Sequence, residues 1–145
     1  MSCNTDPAVS FETITPADFG KSLRGMGVNL LCRDVRAMAS YLQEVFGLEV
    51  FRLNDDFAIV RHGDAVFQLH SDATFGAHPL LGLLPETPPR GAGAQLYLFG
   101  IDPDKAASRA PIEMIIEPPA DKPHGLREAT IVTPEGYAFS PARAT

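Results

Sequence analysis

The chain contains four histidines, His62, His70, His78 and His124, the side chains best suited to moving a proton near neutral pH or holding a transition metal. His70 closes the run Val66-Phe67-Gln68-Leu69-His70, whose alternation places Val66, Gln68 and His70 on one face of a strand. His70 and His124 are the obvious candidates for general acid–base work; as a bland alternative, a histidine at a strand end serves as a rim residue bonded to backbone or water. His62 stands beside Gly63-Asp64 and reads as a solvated turn residue. Arg127 and Glu128 are neighbours on a strand and therefore face opposite sides, so they cannot act as one dyad. Arg127 suits either an anionic group or the tying of a loop. Asp55-Asp56 occupies a turn, where carboxylates favour local backbone bonds. Cys3 and Cys32 are too few and too far apart for a metal-ligand spacing, and Cys32 sits in an apolar run as a core thiol. No Ser-His-Asp, Cys-His, phosphate-loop or paired-carboxylate arrangement stands out.

These residues must be positioned by short elements, because thirteen prolines and twelve glycines punctuate 145 residues. Met26–Cys32 reads as a buried strand. Asp34 can cap a helix through Phe46, since its carboxylate can accept from the open N–H groups of the first turn. Val35, Met38, Leu42 and Val45 give that helix one apolar stripe, and Gly47 stops it. Leu48–Leu53, Phe57–His62 and Ala65–His70 follow as strands joined by hairpin turns. The order then begins again: a strand over Gly93–Ile101, a helix started by Asp102-Pro103 and ended before Pro111, and a strand over Ile112–Ile116. A proline-rich turn over Glu117–Pro123 leads to strands at Leu126–Val132 and Tyr137–Ser140. Asp34 and Asp102 thus head equivalent helices, an internal duplication visible in element order. The expected division is an N-terminal arm at 1–24, a first module at 25–78, a Pro/Gly-rich linker at 79–92 and a second module at 93–145.

Composition narrows the function classes. The 45% apolar content allows a sizeable core, and no segment approaches the roughly 20 apolar residues of a membrane span. A formal charge of −6 with scattered Lys and Arg argues against nucleic acid as a partner. Met-Ser-Cys-Asn-Thr-Asp-Pro lacks the basic start and apolar stretch of a secretory signal, so a cytoplasmic location without membrane partners is expected.

Four segments carry a family resemblance. Gly27-Val-Asn-Leu-Leu-Cys-Arg-Asp-Val35, Tyr41-Leu-Gln-Glu-Val-Phe-Gly-Leu-Glu-Val50, His124-Gly-Leu-Arg-Glu128 and Thr133-Pro-Glu-Gly-Tyr137 are similar, in order and spacing, to motifs of the vicinal oxygen chelate superfamily. That superfamily includes glyoxalases, bleomycin resistance proteins and extradiol dioxygenases. The resemblance spans about 25–141 and implies an α+β fold of two βαβββ modules, forming a curled mixed sheet around a cup. It also implies a homodimer and, in metal-dependent members, four ligands from the first and last strands of each module. Those positions fall on Gly27, Gln68, Gln95 and Ser140. Glycine offers no donor, serine a neutral hydroxyl, and the set carries no negative charge, a poor match to Zn²⁺, Ni²⁺ or Fe²⁺.

Alternation places Asn29, Gln68, His70, Gln95, Tyr97, Phe99 and Ser140 on the cup lining. Such a surface would stack a flat or aromatic ligand and orient it with neutral donors and acceptors; the bland alternative is that Tyr97 and Phe99 simply fill an interface. The expected function is metal-independent binding or sequestering of a small molecule, with no cofactor. One alternative is a lyase or dioxygenase of the glyoxalase type with metal ligands displaced to His70, together with His78 or His124. Another is a diverged domain without a ligand.

Overall fold

The computed structural model describes residues 11–85 and 89–145; Cys3 and Ser10 of the arm and residues 86–88 of the linker lie outside them. A short helix α1 (Pro16–Ser22) precedes the first module, its start capped by the Thr15 hydroxyl, which accepts from the Asp18 N–H at 3.1 Å. The first module runs β1 (Asn29–Cys32), α2 (Val35–Phe46), β2 (Glu49–Phe51), β3 (Phe57–His62) and β4 (Ala65–Ser71). The second runs β5 (Gln95–Phe99), α3 (Pro103–Arg109), β6 (Ile115–Asp121), β7 (Leu126–Val132) and β8 (Ala138–Ala144).

The duplication expected from element order is present as topology. The sheets read β1-β4-β3-β2 and β5-β8-β7-β6, each with one parallel pair and two antiparallel pairs. A parallel pair needs a long crossover, and the helix with its following strands supplies it. The caps explain why both helices start where they do: Asp34 accepts from the Ala37 N–H at 2.9 Å and Asp102 from the Asp104 N–H at 3.0 Å. Gly47, at φ 70°, takes the left-handed conformation that closes α2.

The expected α+β architecture of two βαβββ modules stands, its strands forming two four-stranded mixed sheets. Several element bounds are corrected. The first strand begins at Asn29 rather than Met26, because the ladder with β4 opens with Asn29 opposite Gln68. Leu48–Leu53 shrinks to Glu49–Phe51, and Gly93–Ile101 to Gln95–Phe99. The turn expected at Glu117–Pro123 is most of strand β6, while Ile112–Met114 is a 3₁₀ turn. Pro118 and Pro119 can occupy that strand because β6 is the sheet edge, where a missing N–H breaks no ladder, and its register shifts twice there. The last strand is Ala138–Ala144 rather than Tyr137–Ser140, since pairing with β5 and β7 continues past Ser140. Within the linker, Pro79–Leu83 forms a 3₁₀ turn.

One core serves both modules. Val35, Met38, Leu42 and Val45 of α2 are buried, as their spacing predicts, and they share a cluster with Leu98, Ile131, Tyr137 and Phe139 of the second module. Phe139 sits between Phe46 and Phe67, with ring centroids 5.6 and 6.0 Å away. Polar ties reinforce the seam. The Tyr41 hydroxyl donates to the Val132 carbonyl at 3.1 Å, and the Tyr137 hydroxyl to the Leu31 carbonyl at 2.8 Å. The Glu135 carboxylate, itself buried, accepts from the Arg33 and Asp34 N–H groups at 3.0 and 2.9 Å.

The opposite face of the first sheet is covered by the arm. Phe19 of α1 packs with Phe51 and Ile59, supported by Phe11, Ile14, Phe57 and Val66. Phe11 meets Phe19 and Phe51 edge-on, and the Arg61 guanidinium lies over the Phe11 and Phe51 rings at 5.6 and 5.1 Å. The corresponding face of the second sheet leaves Phe99 59% exposed. No helix among the described residues is long and apolar enough to cross a membrane.

Candidate functional site

Where the two sheets approach, a cleft of about 510 Å³ opens between the start of β1, the start of β4, β5 and the end of the arm. Its apolar walls come from Val28, Phe67, Leu96, Leu98 and Phe139, and its polar groups include Gln68, Gln95 and Tyr97. Gly27 borders it as well, and a β-carbon built there would meet nothing within 4 Å. The structure therefore brings three of the seven expected lining residues into one cleft: Gln68, Gln95 and Tyr97.

The other four lie apart from it. Asn29 is exposed, opposite Gln68 in the parallel ladder. His70 is held off the cleft by rings: its imidazole is 5.1 Å from Phe57 and 5.2 Å from Phe75, and its Nε2 meets the Gln68 Oε1 at 3.1 Å. Burial lowers the His70 pKa, favouring the neutral ring. Ser140 is fully buried, its Oγ accepting from the Gln95 Nε2 at 2.9 Å and sharing a 2.8 Å hydrogen bond with Thr130 Oγ1. Phe99 stacks parallel to Tyr97 at 5.0 Å.

The donor set at the four family positions does not fit a divalent transition metal. Gly27 has no donor, the Ser140 hydroxyl is committed to Gln95 and Thr130, and the two glutamines are neutral. The displaced set is not assembled either. Phe75 stands between His70 and His78, 5.2 and 5.0 Å from their rings, while His124 lies in the turn between β6 and β7 of the second module. Among the described residues, no group of three or more His, Cys, Asp or Glu could hold an ion.

The residue that sequence reasoning missed is Glu128. Its carboxylate is 3% exposed and accepts from the Tyr97 hydroxyl at 3.0 and 3.1 Å, while His124 Nε2 lies 2.9 Å from Oε1. Alternation from Thr130, which reaches Ser140 on the same face, was the available signal. Arg127 points the other way and ties the second module together through Asp104 at 2.7 Å and Asp121 at 3.2 Å. His62, expected in solvent, is half-buried, with Nε2 against the Phe99 carbonyl at 2.6 Å. Cys32 is fully buried, and burial pushes its thiol up to about 12, which makes it unreactive.

All three tyrosines are raised above their ordinary value of 10. Burial leads in each case, with the Glu128 hydrogen bond second for Tyr97 and the Glu113 charge second for Tyr41. Tyr137 reaches about 12. The native state thus favours the neutral phenols, so their stabilisation is complete below pH 10 and is lost as pH rises through the folded values. An alkaline ultraviolet titration of the folded protein should show no phenol ionising at the ordinary value. A tyrosine titrating normally while circular dichroism remains native would contradict these environments.

No protein-family model matches the chain, and no curated protein matches it. Solved structures do. A glyoxalase/bleomycin resistance protein/dioxygenase family enzyme from Burkholderia phytofirmans PsJN matches with a TM-score of 0.64 at 18% identity, covering 82% of this chain and 97% of that one. A glyoxalase/bleomycin resistance protein/dioxygenase from Nocardioides gives 0.58 at 16%, covering 88% and 90%. A glyoxalase-related enzyme from Fulvimarina pelagi gives 0.64 at 15%, covering 83% and 87%. The chain has the fold of these proteins, as the sequence motifs imply.

Proposed function

We propose that this protein binds a flat or aromatic small molecule in the cleft between its two sheets, holding the ligand without a metal. The observation that carries this reading is the meeting of the Gln68 and Gln95 amides beside Tyr97 against the apolar walls of one cleft, whose lining also includes Arg24, His62 and Asp64. A volume of about 510 Å³ lies within the roughly 300–1,000 Å³ of small-molecule sites, where a few polar groups orient a ligand against apolar walls. Bleomycin resistance, named in the descriptions of two of the similar structures, is one form such binding takes. A homodimer belongs to the same proposal, since Phe99 leaves an aromatic face uncovered in the single chain; light scattering in solution tests it.

A second reading, a metal-free acid–base enzyme, is favoured by one observation: the hydrogen-bonded row Tyr97–Glu128–His124 runs from the cleft wall to a half-exposed imidazole.

Calorimetry against a panel of planar aromatic compounds, glycopeptide antibiotics included, tests the first reading. Saturable binding is expected, and Gln95→Leu should weaken it at least tenfold while leaving the melting temperature within a few degrees. A panel with no ligand that binds or stabilises the native state would point to a diverged domain. Stoichiometric metal in untagged protein, lost on His70→Ala, would favour the metal-dependent lyase or dioxygenase instead.

A further inference from the structure

A second cavity, of about 430 Å³, lies under the arm and shares Leu23 and Gln68 with the inter-sheet cleft. Ile14, Phe19, Leu23, Phe57 and Ile59 give it apolar walls, and Arg52 and Asn54 line it from the connection between β2 and β3. Arg52 is the unusual residue here. Among the described residues it is the non-glycine with a positive φ, 53°, a strained conformation that functional sites retain more often than plain scaffold does. Its backbone N–H is fixed by Glu12 Oε1 at 2.7 Å, and its Nη1 donates to the Glu12 and Ile14 carbonyls, both at 2.8 Å.

Charge bookkeeping singles out the same side chain. The other half-buried arginines, Arg61, Arg90 and Arg127, each hold a carboxylate: Glu49, Asp72, and Asp104 with Asp121. Arg52 is half-buried too, yet among the described residues its side chain meets only neutral backbone carbonyls. A guanidinium beside an apolar cavity without an anionic partner is a receptor for a carboxylate, which it can bind through its remaining N–H groups. The Asn54 and Gln68 carbonyl oxygens are already engaged, by the Asp56 N–H and by His70, so the amide N–H groups are the donors left to face a ligand.

We propose that the cavity beneath the N-terminal arm is a binding site for an amphipathic organic carboxylate, with Arg52 pairing its anionic head and Phe19, Phe57 and Ile59 enclosing its apolar body. Binding would also anchor the arm, because Arg52 and Phe19 hold both the arm and the ligand.

Hydrocinnamate and its neutral counterpart hydrocinnamyl alcohol test this by calorimetry on the full chain. One equivalent of the acid should bind, with the alcohol at least tenfold weaker. Arg52→Gln should weaken the acid at least tenfold, and Arg52→Lys, which keeps the charge but loses the forked donors, should fall between Arg52→Gln and the unaltered protein. Glu12→Ala removes the carboxylate on the Arg52 backbone N–H but keeps the Glu12 and Ile14 carbonyls that hold the guanidinium to the arm, so it should leave affinity within about twofold, as should Gln95→Leu in the other cleft. Equal affinity for acid and alcohol, or no binding of the acid, would overturn the proposal on the unaltered protein even if Arg52→Gln fails to fold. A loss in Glu12→Ala equal to that in Arg52→Gln would overturn it as well. Weakening by Gln95→Leu alone would move the acid to the inter-sheet cleft, ending this proposal and not the previous one.

Discussion

Phe139→Ala is expected to lower stability by about 3–5 kcal/mol, the range for removing a large aromatic from a packed core. Phe139 is 1% exposed and sits where the modules meet, between Phe46 of α2 and Phe67 of β4. Truncation would leave a void that neither sheet can close, because each is held at its far side by its own ladder and helix. The same side chain forms part of the inter-sheet cleft, so the void would open into the proposed ligand site. Chemical denaturation followed by circular dichroism measures the loss. The midpoint should fall with the slope little changed, and a loss below about 1 kcal/mol would mean the modules do not share this core in solution.

Glu135→Ala is expected to lower stability by about 2–3 kcal/mol. Its carboxylate, 3% exposed, accepts from the Arg33 and Asp34 N–H groups at the entrance to α2, across the module seam. Alanine would leave both donors without that acceptor, at roughly 1–3 kcal/mol for each buried group left unpaired. Water can reach the exposed Arg33 side, which keeps the total toward the lower half. Glu135→Gln retains one acceptor oxygen and should cost less than the alanine variant. Denaturation of the two variants side by side decides it; equal losses would show that bulk, rather than acceptor count, matters at this position.

Legibility in the sequence followed the range of the forces involved. Asp34, the stripe of Val35, Met38, Leu42 and Val45, and Gly47 act within a few residues of one another, so α2 could be read to its ends. Ladder lengths could not, because a strand ends where its partner does: Asn29 begins β1 only because Gln68 is its opposite number. Edge position and the register shifts of β6 were equally invisible, and together they let Pro118 and Pro119 sit in a strand. For the site, alternation put Gln68 and Gln95 on lining faces, and both border the inter-sheet cleft. It could not tell that both would meet in one cleft, while Ser140 was consumed by Gln95 and Thr130 and His70 by Phe57, Phe75 and Gln68.

By itself the sequence determined the repeated order of strands and helices and the alternating faces of the strands, because these follow from local periodicity and capping. The family resemblance, rather than periodicity, put the metal positions on Gly27, Gln68, Gln95 and Ser140, whose side chains are a poor match to a divalent ion. Only the tertiary structure decided that the arm covers the first sheet, that Glu128 is buried between Tyr97 and His124, and that Arg52 stands beside a cavity without a carboxylate partner among the described residues. Those contacts join residues tens of positions apart. Their existence depends on how the shared core around Phe139 and the apolar face around Phe19 fix the modules and the arm in space.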